Sequence, residues 1–379
     1  MFVQYVWSHT GSSYSGLLII DGFRRAGHDV IPVCHESFLS AEEMQSEVVR
    51  HGQWLVGGTR AQKIRRWGRD LLSAAKFLGL IKTYRPDCVY VNNLTGFAPA
   101  LAARLAGIPC IWHVRELFED VGGEMRFPLG GRRIVNCIIR LCGDHQIYIS
   151  RAVKENVLGK RSSKHSSIVS NAVHDNYWSF SMVQEEARKR LNLNSGRLIV
   201  GVPGTLRPVK GHKFMLEAIR ELRPPIDKFC FAISGDGESR YRISLENMAR
   251  EFGVEASVRF LGTIQDMRMF YRACDLVCVP SESEPFGRIV IEAFAMGTPV
   301  IGTRVGGIVE IIRDRENGLL VNYGDVHGLA ELIVELGNDC DLRERLRSRA
   351  LDDAVEFYRS DIYQQRIIEI LASLVRGDA

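Results

Sequence analysis

Two acidic residues and a glycine occur close together in the segment 281–310. Glu284 and Glu292 are separated by seven residues, and Gly287 lies between them. The apolar run 276–279 predicts a strand, and the residues after Gly287 have helical spacing. The first amides of that helix and the positive end of its dipole suit a phosphate. With one carboxylate on each side, the segment predicts a site for a ligand that combines a sugar, a diphosphate and a ribose.

A second loop combines small residues with cations. The run 199–203 predicts a strand, and Gly204, Thr205, Arg207 and Lys210 follow it. A departing nucleoside diphosphate carries about two negative charges, which paired cations can stabilise without a metal ion. Arg207 follows Thr205 by two residues, and in an extended loop such side chains point the same way.

With these residues, the chain resembles the retaining glycosyltransferases of family 4, which have the GT-B architecture of two Rossmann-like domains. The resemblance covers nearly the whole length and is strongest over 198–321. The motif residues that carry it, besides the two glutamates, are Gly297-Thr298-Pro299-Val300-Ile301, Gly306-Gly307, Glu310 and Asn317-Gly318. It implies an enzyme that moves a sugar from a nucleoside diphosphate donor to an acceptor hydroxyl with retention of configuration. It implies no metal and no other cofactor.

The resemblance also implies roles for the two glutamates and the residues between them. Glu284 would be catalytic and lie against the donor sugar, and Glu292 would bind the ribose hydroxyls. The residues whose backbone amides would hold the diphosphate are Phe286, Gly287, Arg288 and Ile289. Gly287 lets the backbone approach an anion because it has no Cβ.

The catalytic cations match the family pattern in part. Lys210 matches the family lysine, but Thr205 stands where the family has an arginine. We hypothesise that Arg207 replaces that arginine. The alternative is that Lys210 acts with another cation, such as Arg288.

The resemblance implies further donor contacts at several turns. These residues are Gly11, Gly204, Thr205, Gly235, Gly262, Thr263 and Ile264. Gly11 would lie beside the donor phosphates and Gly235 near the nucleotide. The loop that begins at Gly262 would hold the base through backbone groups.

The first half supplies candidates for the reaction centre and the acceptor. His113 matches the family's active-site histidine, and the alternative is a buried structural histidine. His9, Arg115 and Glu116 are candidate acceptor contacts. The alternatives are a solvated loop histidine for His9 and ion pairs with neighbouring residues for Arg115 and Glu116.

The elements that position these residues alternate along the chain. The predicted strands are 3–7, 29–33, 88–91, 110–113, 146–150, 199–203, 230–233, 258–261, 276–279 and 300–302. The predicted helices include 15–25, 98–106, 213–222, 239–252 and 326–337. Alternation of this kind predicts the α/β class, with parallel sheets covered by helices.

Length and pattern together predict two domains. The chain has 379 residues, 46% of them apolar, which suits two facing, doubly wound domains with a ligand cleft between them. We predict an acceptor domain over 1–178 and a donor domain over 179–359, joined by the polar stretch 175–190. A last helix, about 360–379, is predicted to pack back on the first domain.

Charge and cysteine content limit the partners and the location. Residues 1–180 contain 22 Lys and Arg against 15 Asp and Glu, a net charge of +7, whereas the remainder has 27 against 30, or −3. Much of the excess lies in 60–69, the start of a predicted amphipathic helix. This helix face is either solvated or contacts an anionic membrane surface. No nucleic-acid motif accompanies it.

The remaining signals favour a cytoplasmic protein at the inner face of the plasma membrane. The nine cysteines lack metal-ligand spacing, no apolar run reaches the roughly 20 residues of a membrane span, and no signal peptide is recognisable. Asp339-Cys340-Asp341 is interpreted as a helix cap. A saccharide or lipid-linked saccharide acceptor in polysaccharide or glycolipid assembly is expected. Two alternative functions remain: a nucleotide-sugar epimerase of the same fold, and a non-catalytic nucleotide-sugar binding protein.

Overall fold

The computed structural model describes residues 1–7, 11–37, 46–52, 55, 59–118, 131–159, 165–193, 196–222 and 226–376. The chain divides into one unit of Met1–Asn171 with Ser360–Ala379 and a second unit of Ala172–Arg359. The division therefore lies at Asn171 and not at residue 178. The stretch 175–190, predicted as the connection between domains, belongs to the second unit.

The first unit is built on parallel strands. They are β1 (Phe2–Trp7), β2 (Pro32–Ser37), β3 (Glu47–Val48), β4 (Val89–Val91), β5 (Cys110–Val114), β6 (His145–Tyr148) and β7 (Ser166–Ile168). In the described residues they form a seven-stranded sheet in the order β3-β2-β1-β4-β5-β6-β7. The helices are α1 (Gly11–Arg25), α2 (Arg60–Tyr84), α3 (Phe97–Ala106), α4 (Gly131–Cys142) and α5 (Arg151–Leu158).

The second unit repeats this plan. It opens with a 3₁₀ turn (Asp175–Tyr177) and α6 (Gln184–Arg190). Its strands are β8 (Leu198–Pro203), β9 (Phe229–Ser234), β10 (Val258–Gly262), β11 (Leu276–Val279), β12 (Val300–Thr303) and β13 (Leu319–Val321). Its further helices are α7 (His212–Glu221), α8 (Ser239–Glu251), α9 (Met267–Ala273), α10 (Arg288–Ala295), α11 (Ile308–Ile311), α12 (Val326–Asn338) and α13 (Cys340–Phe357). Over the described residues the sheet order is β10-β9-β8-β11-β12-β13.

The strand order changes direction inside each sheet. In the second unit the chain moves outward from β8 to β10, then returns to β11 beside β8 and moves outward to β13 on the other side. Right-handed crossovers then place the helices on both faces of the sheet. After β8 and after β11 the chain continues toward opposite edges of the sheet. Open α/β sheets bind ligands between two such loops. These are the loops that contain Lys210 and Glu284.

The α/β class predicted from the sequence is confirmed, and each predicted strand and helix overlaps an observed one. The largest shift is in β2, which begins at Pro32 and not at residue 29. Pro32 has no amide to donate, so it suits the first position of a strand. The strands β3, β7 and β13 have two or three residues each and were too short to give a periodic signal.

The last helix and one helix cap also test predictions made from the sequence. The last helix, α14 (Ser360–Arg376), belongs to the first unit, where the Gln364 side-chain amide donates to the Leu18 carbonyl of α1 over 2.7 Å. Asp339 caps α13, since its carboxylate accepts a hydrogen bond from the Leu342 amide over 2.8 Å. The interpretation of 339–341 as a helix cap is therefore confirmed.

Candidate active site

The loop that carries Glu284 is held in place by backbone contacts. The Glu284 carbonyl accepts a hydrogen bond from the Gly307 amide over 2.9 Å, and the Glu282 amide donates to the Val209 carbonyl over 2.9 Å. A Cβ on Gly306 would lie 1.9 Å from the Glu284 carbonyl oxygen, and its φ is +48°. The glycine pair of the family motif therefore allows a second loop to close against the Glu284 backbone.

Lys210 and Glu284, two predicted catalytic residues, are in direct contact. The Lys210 ammonium lies 2.6 Å from a Glu284 carboxylate oxygen. A Cβ on Gly204 would lie 3.8 Å from Lys210 Cγ and 3.9 Å from Ile289 Cδ1. The end of β8, the paired charges and the start of α10 therefore form one cluster.

No side chain caps the start of α10. Gly287 precedes the helix at φ +110° and ψ 46°, a conformation that residues with a Cβ rarely adopt. Because it has no side chain, Gly287 cannot cap the amides that follow. Phe286 is buried, and its ring packs edge-on against Tyr358 with centroids 6.3 Å apart. The backbone of 286–289 is therefore fixed beside the charged pair, as a diphosphate site requires.

Glu292 is buried and bonded to protein groups. The Tyr271 hydroxyl donates to one carboxylate oxygen over 2.8 Å, and Arg288 Nε donates to the other over 2.5 Å. The Tyr177 hydroxyl bonds the same carboxylate. Burial and the neighbouring Glu292 charge raise the pKa of Tyr271 well above its usual range, so this phenol stays protonated and donates.

Three of the predicted donor-binding glycines lie side by side at the strand ends. The Gly204 amide donates to the Ser234 carbonyl over 2.9 Å, and the Gly235 amide donates to the Gly262 carbonyl over 2.8 Å. A Cβ on Gly235 would lie 2.0 Å from the Gly204 carbonyl oxygen. Only glycine fits at position 235. The three turns form one continuous edge at the ends of the strands. Thr263, which follows, is exposed.

The loop after β8 makes a tight turn between Thr205 and Arg207, since the Arg207 amide donates to the Thr205 carbonyl over 2.8 Å. Leu206 between them is buried, and its amide donates to the Asp236 carbonyl over 2.9 Å. Thr205 and Arg207 are both exposed. This turn departs from the extended loop that was assumed for these two residues, and the role of Arg207 stays a prediction.

His113 is fully buried in β5 of the first unit. Its Nδ1 lies 2.6 Å from the Tyr90 hydroxyl, and its Nε2 has no hydrogen-bond partner within the described part of the chain. Burial, followed by the charge of Arg115, lowers the pKa of His113 well below its usual range. The ring is therefore neutral at physiological pH.

Arg115, a candidate acceptor contact, is buried and bonds three neighbours. Its guanidinium donates to Asn92 over 2.8 Å, to Asn171 over 2.6 Å and to the Tyr363 hydroxyl over 2.7 Å. It thus ties the end of β5 to α14. These are hydrogen bonds to neutral side chains and not the ion pairs of the alternative interpretation, and a role at an acceptor stays a prediction.

Three further residues of the first unit were predicted at the site: Glu116, Gly11 and His9. The Glu116 carboxylate accepts from the backbone amides of Leu94, at 2.9 Å, and Arg115, at 3.1 Å. Burial raises the pKa of Glu116 despite these bonds. Gly11 is the first residue of α1. His9 lies outside the described residues.

Two tyrosines of the cluster were not predicted from the sequence. Tyr271 lies on α9, and Tyr177 lies in the stretch predicted as a connection; both reach Glu292. The segment around Tyr177 is anchored by Arg268, which donates to the Asn176 carbonyl over 3.0 Å and stacks over Phe180 at 5.0 Å. Tyr271 is 21 residues from Glu292 along the chain and Tyr177 is much farther away, so only the fold brings the two hydroxyls to the same carboxylate.

Within the described ranges no group of His, Cys, Asp and Glu side chains is arranged to hold a metal ion. No helix in those ranges has the length and apolar character needed to cross a bilayer.

Comparison with known proteins extends this picture. Residues 11–177 match the Glycosyltransferase Family 4 model, and residues 183–353 match the model described as glycosyl transferases group 1. The two matches meet near the division between the units. The site cluster of Lys210, Glu284 and Glu292 lies within the second match.

Curated relatives match over about half of the chain. The lipopolysaccharide core biosynthesis glycosyltransferase LpsE of Rhizobium meliloti is 34% identical over 186 residues, which is 49% of this chain and 53% of that protein. The D-inositol 3-phosphate glycosyltransferase of Salinispora arenicola is 37% identical over 187 residues, 47% of this chain and 42% of that protein. Each match spans about half or less of the relative's length.

Solved structures match over nearly the whole chain. Anabaena Alr3699/HepE, in complex with UDP and glucose, has a TM-score of 0.80 at 22% identity and covers 98% of both chains. WaaG, a glycosyltransferase involved in lipopolysaccharide biosynthesis, has a TM-score of 0.74 at 16% identity and covers 97% of this chain and 98% of that one. These likenesses establish the GT-B fold. Together with the two domain matches, they support a glycosyltransferase of the GT-B type.

Proposed function

We propose that this protein is a retaining glycosyltransferase that moves a sugar from a nucleoside diphosphate to an acceptor hydroxyl, in polysaccharide or glycolipid assembly. The observation that carries the proposal is the contact between Lys210 and Glu284 beside the start of α10, which no side chain caps. A cation, backbone amides and a carboxylate in this order match a diphosphate joined to a sugar. The similar structures that contain UDP with glucose, or UDP-glucose, support a nucleotide-sugar donor.

The proposed chemistry breaks the bond between the anomeric carbon and the diphosphate oxygen. Lys210 and the amides that follow Phe286 stabilise the charge that develops on the diphosphate, without a metal ion. Glu284 stabilises positive character on the sugar carbon. The acceptor oxygen forms its bond on the same face, because no enzyme nucleophile is evident, and its proton passes to the departing phosphate.

Glu292 binds the ribose in this proposal. Its carboxylate already accepts bonds from Tyr271, Tyr177 and Arg288, which hold its orientation. A carboxylate has about four acceptor positions, so a ribose hydroxyl can join or replace one protein donor. The acceptor is proposed to be a saccharide or lipid-linked saccharide, reached at the cytoplasmic face of an anionic membrane.

A panel of nucleotide sugars tests the proposal. The true donor should raise the melting temperature, since a ligand that binds the folded state stabilises it. With that donor and an acceptor, release of nucleoside diphosphate should fall at least about a hundredfold in Glu284→Ala and Lys210→Ala. The anomeric configuration of the product, measured by NMR, tests retention, and activity in EDTA tests metal independence. Near-normal turnover in either variant would remove that residue from the mechanism.

The same assays separate the alternatives. A sugar that changes configuration with donor alone would indicate an epimerase. Donor binding without nucleoside diphosphate release, across all acceptors, would indicate a non-catalytic binding protein. Unchanged donor affinity and turnover in Arg207→Ala would reject Arg207 as the second cation.

A further inference from the structure

The two ring nitrogens of His113 lie in different surroundings. Nδ1 lies 2.6 Å from the Tyr90 hydroxyl oxygen and 3.4 Å from Nη2 of Arg115. Nε2 is buried and has no hydrogen-bond partner among the residues that the structure describes. Buried polar atoms in folded proteins are nearly always hydrogen-bonded, and an exception often marks a functional group. The unpaired Nε2 is therefore left for a ligand.

The contacts at Nδ1 decide which nitrogen of the neutral ring carries the proton. A guanidinium group donates hydrogen bonds and accepts none, so Arg115 is repelled by an N–H at Nδ1 and attracted by a lone pair there. Burial, as the main cause, raises the pKa of Tyr90 well above its usual range, so this phenol keeps its proton and donates it to Nδ1. Nδ1 is therefore the acceptor, and Nε2 carries the proton.

Arg115 supplies a positive charge that packing alone does not require. Its side chain is buried, and in the described ranges its guanidinium bonds only neutral groups, which besides His113 are Asn92, Asn171 and Tyr363. Burying a cation without a carboxylate partner costs free energy, and an apolar side chain of similar volume is often at least as stable. The cation does act on His113, because its charge is the next cause, after burial, of the lowered pKa of that ring.

The last helix holds the nitrogen that faces His113. Nη2 of Arg115, which lies beside Nδ1 of the ring, also donates to the Tyr363 hydroxyl over 2.7 Å. Tyr363 is buried on α14, and the neighbouring Gln364 ties that helix to α1 through the Leu18 carbonyl. α14 therefore fixes the guanidinium against the ring, although 248 residues separate Tyr363 from Arg115.

We propose that Tyr90 and Arg115 are positioning residues, which hold His113 with its proton on Nε2 so that it donates a hydrogen bond to an oxygen of the sugar substrate. Tyr363 acts one step further away, through Arg115. A neutral N–H donor suits an uncharged oxygen such as a sugar hydroxyl, and it places no second positive charge beside Arg115. The identity of the acceptor oxygen rests on the proposed function, whereas the state of the ring can be measured in the free protein.

Nitrogen NMR of the full chain with isotope-labelled histidine tests the state of the ring without any substrate. The chain has ten histidines, and the signals that vanish in His113→Gln belong to this ring. At neutral pH they should show an unprotonated Nδ1 and a protonated Nε2. Tyr90→Phe should shift the Nδ1 signal toward that of a ring nitrogen without a hydrogen bond. Tyr363→Phe should shift it as well, because Nη2 of Arg115 loses an acceptor.

Tyr148→Phe is the matched control for these variants. Tyr148 is fully buried in the same sheet as Tyr90, and its hydroxyl has no partner in the described part of the chain. This variant should leave the His113 signals unchanged. A proton on Nδ1, a doubly protonated ring, or equal shifts in the Tyr90 and Tyr148 variants would overturn the proposal.

A kinetic cycle with a donor from the nucleotide-sugar panel tests whether Tyr90 acts through His113. Tyr90→Phe should lower turnover about fivefold to tenfold in the parent, the contribution of one net hydrogen bond. In His113→Gln, which lacks the ring, the same change should lower it less than about twofold. Equal losses in both backgrounds would give Tyr90 a structural role only and overturn the proposal. A ring in the expected state, with no transfer from any donor, would confirm the tautomer and contradict the proposed function.

Discussion

Removing the Lys210 ammonium gives a quantitative test of the central pair. The ammonium lies 2.6 Å from Glu284, and the two side chains are 23% and 12% exposed. Breaking a fully buried pair costs about 3–5 kcal/mol because a charge is left without its partner. A charge-assisted hydrogen bond with some solvent access is worth about 1.5–3 kcal/mol. Since a fifth of the Lys210 side chain reaches water, we expect Lys210→Met to lower the free energy of unfolding by about 2 kcal/mol.

A double-mutant cycle separates this structural cost from catalysis. Urea denaturation is measured for the parent, Lys210→Met, Glu284→Gln and the double variant. The sum of the two single losses in unfolding free energy should exceed the loss in the double variant. The difference, a coupling energy of about 1–2 kcal/mol, arises because the two residues contact each other. Turnover should not recover in the double variant. Stability changes that add without coupling would refute the claim that Lys210 and Glu284 act as a pair.

Two further predictions follow from buried polar groups. Tyr177→Phe removes a donor from the buried Glu292 carboxylate and should lower the free energy of unfolding by about 1.5 kcal/mol. The control is Tyr241→Phe, which should change little because the Tyr241 hydroxyl has no partner in the described residues. Equal losses in the two variants would contradict the hydrogen bond between Tyr177 and Glu292. Burial and then the charge of Lys210 lower the pKa of His212 from 6.5 to about 4. The unfolded chain therefore binds this proton first as the pH falls, so stability is full above about pH 6.5 and should drop by about 2 kcal/mol between pH 7 and pH 5. Denaturation curves at both pH values, for the parent and for His212→Gln, measure how much of the loss in unfolding free energy is due to His212. The same loss between pH 7 and pH 5 in His212→Gln would contradict this prediction.

Much of the second unit could be predicted because its signals are local. A strand, a glycine turn and a helix start lie within a few residues, as at Gly287, and the turn needs a residue without a Cβ. Lys210 and Glu284 were each predicted as catalytic, but their contact was not; their loops leave β8 and β11, which are neighbours in the sheet. The contact between Lys210 and Glu284 is the outcome of that topology.

Other features depended on contacts distant in sequence. Tyr177 and Tyr271 bond Glu292 from separate elements, and nothing in the local pattern of either residue indicates this. Arg115 was expected at an acceptor, but the structure bonds it to Tyr363, 248 residues away. The boundary between the units shifted for a similar reason, since the polar stretch 175–190 packs on α9 through Arg188, which donates to the Ala273 carbonyl over 2.9 Å.

The geometry bears on which cation assists Lys210 in the proposed mechanism. Arg288 Nε lies 2.5 Å from Glu292, so much of its charge is offset by that carboxylate. Burial alone would lower the pKa of Arg288, but Glu292 outweighs it and the net shift is upward, which marks a stable ion pair. Arg207 and Thr205 are both exposed in the loop after β8. An arginine whose charge is offset by Glu292 is a poorer second cation for a diphosphate, which argues against Arg288 in that role.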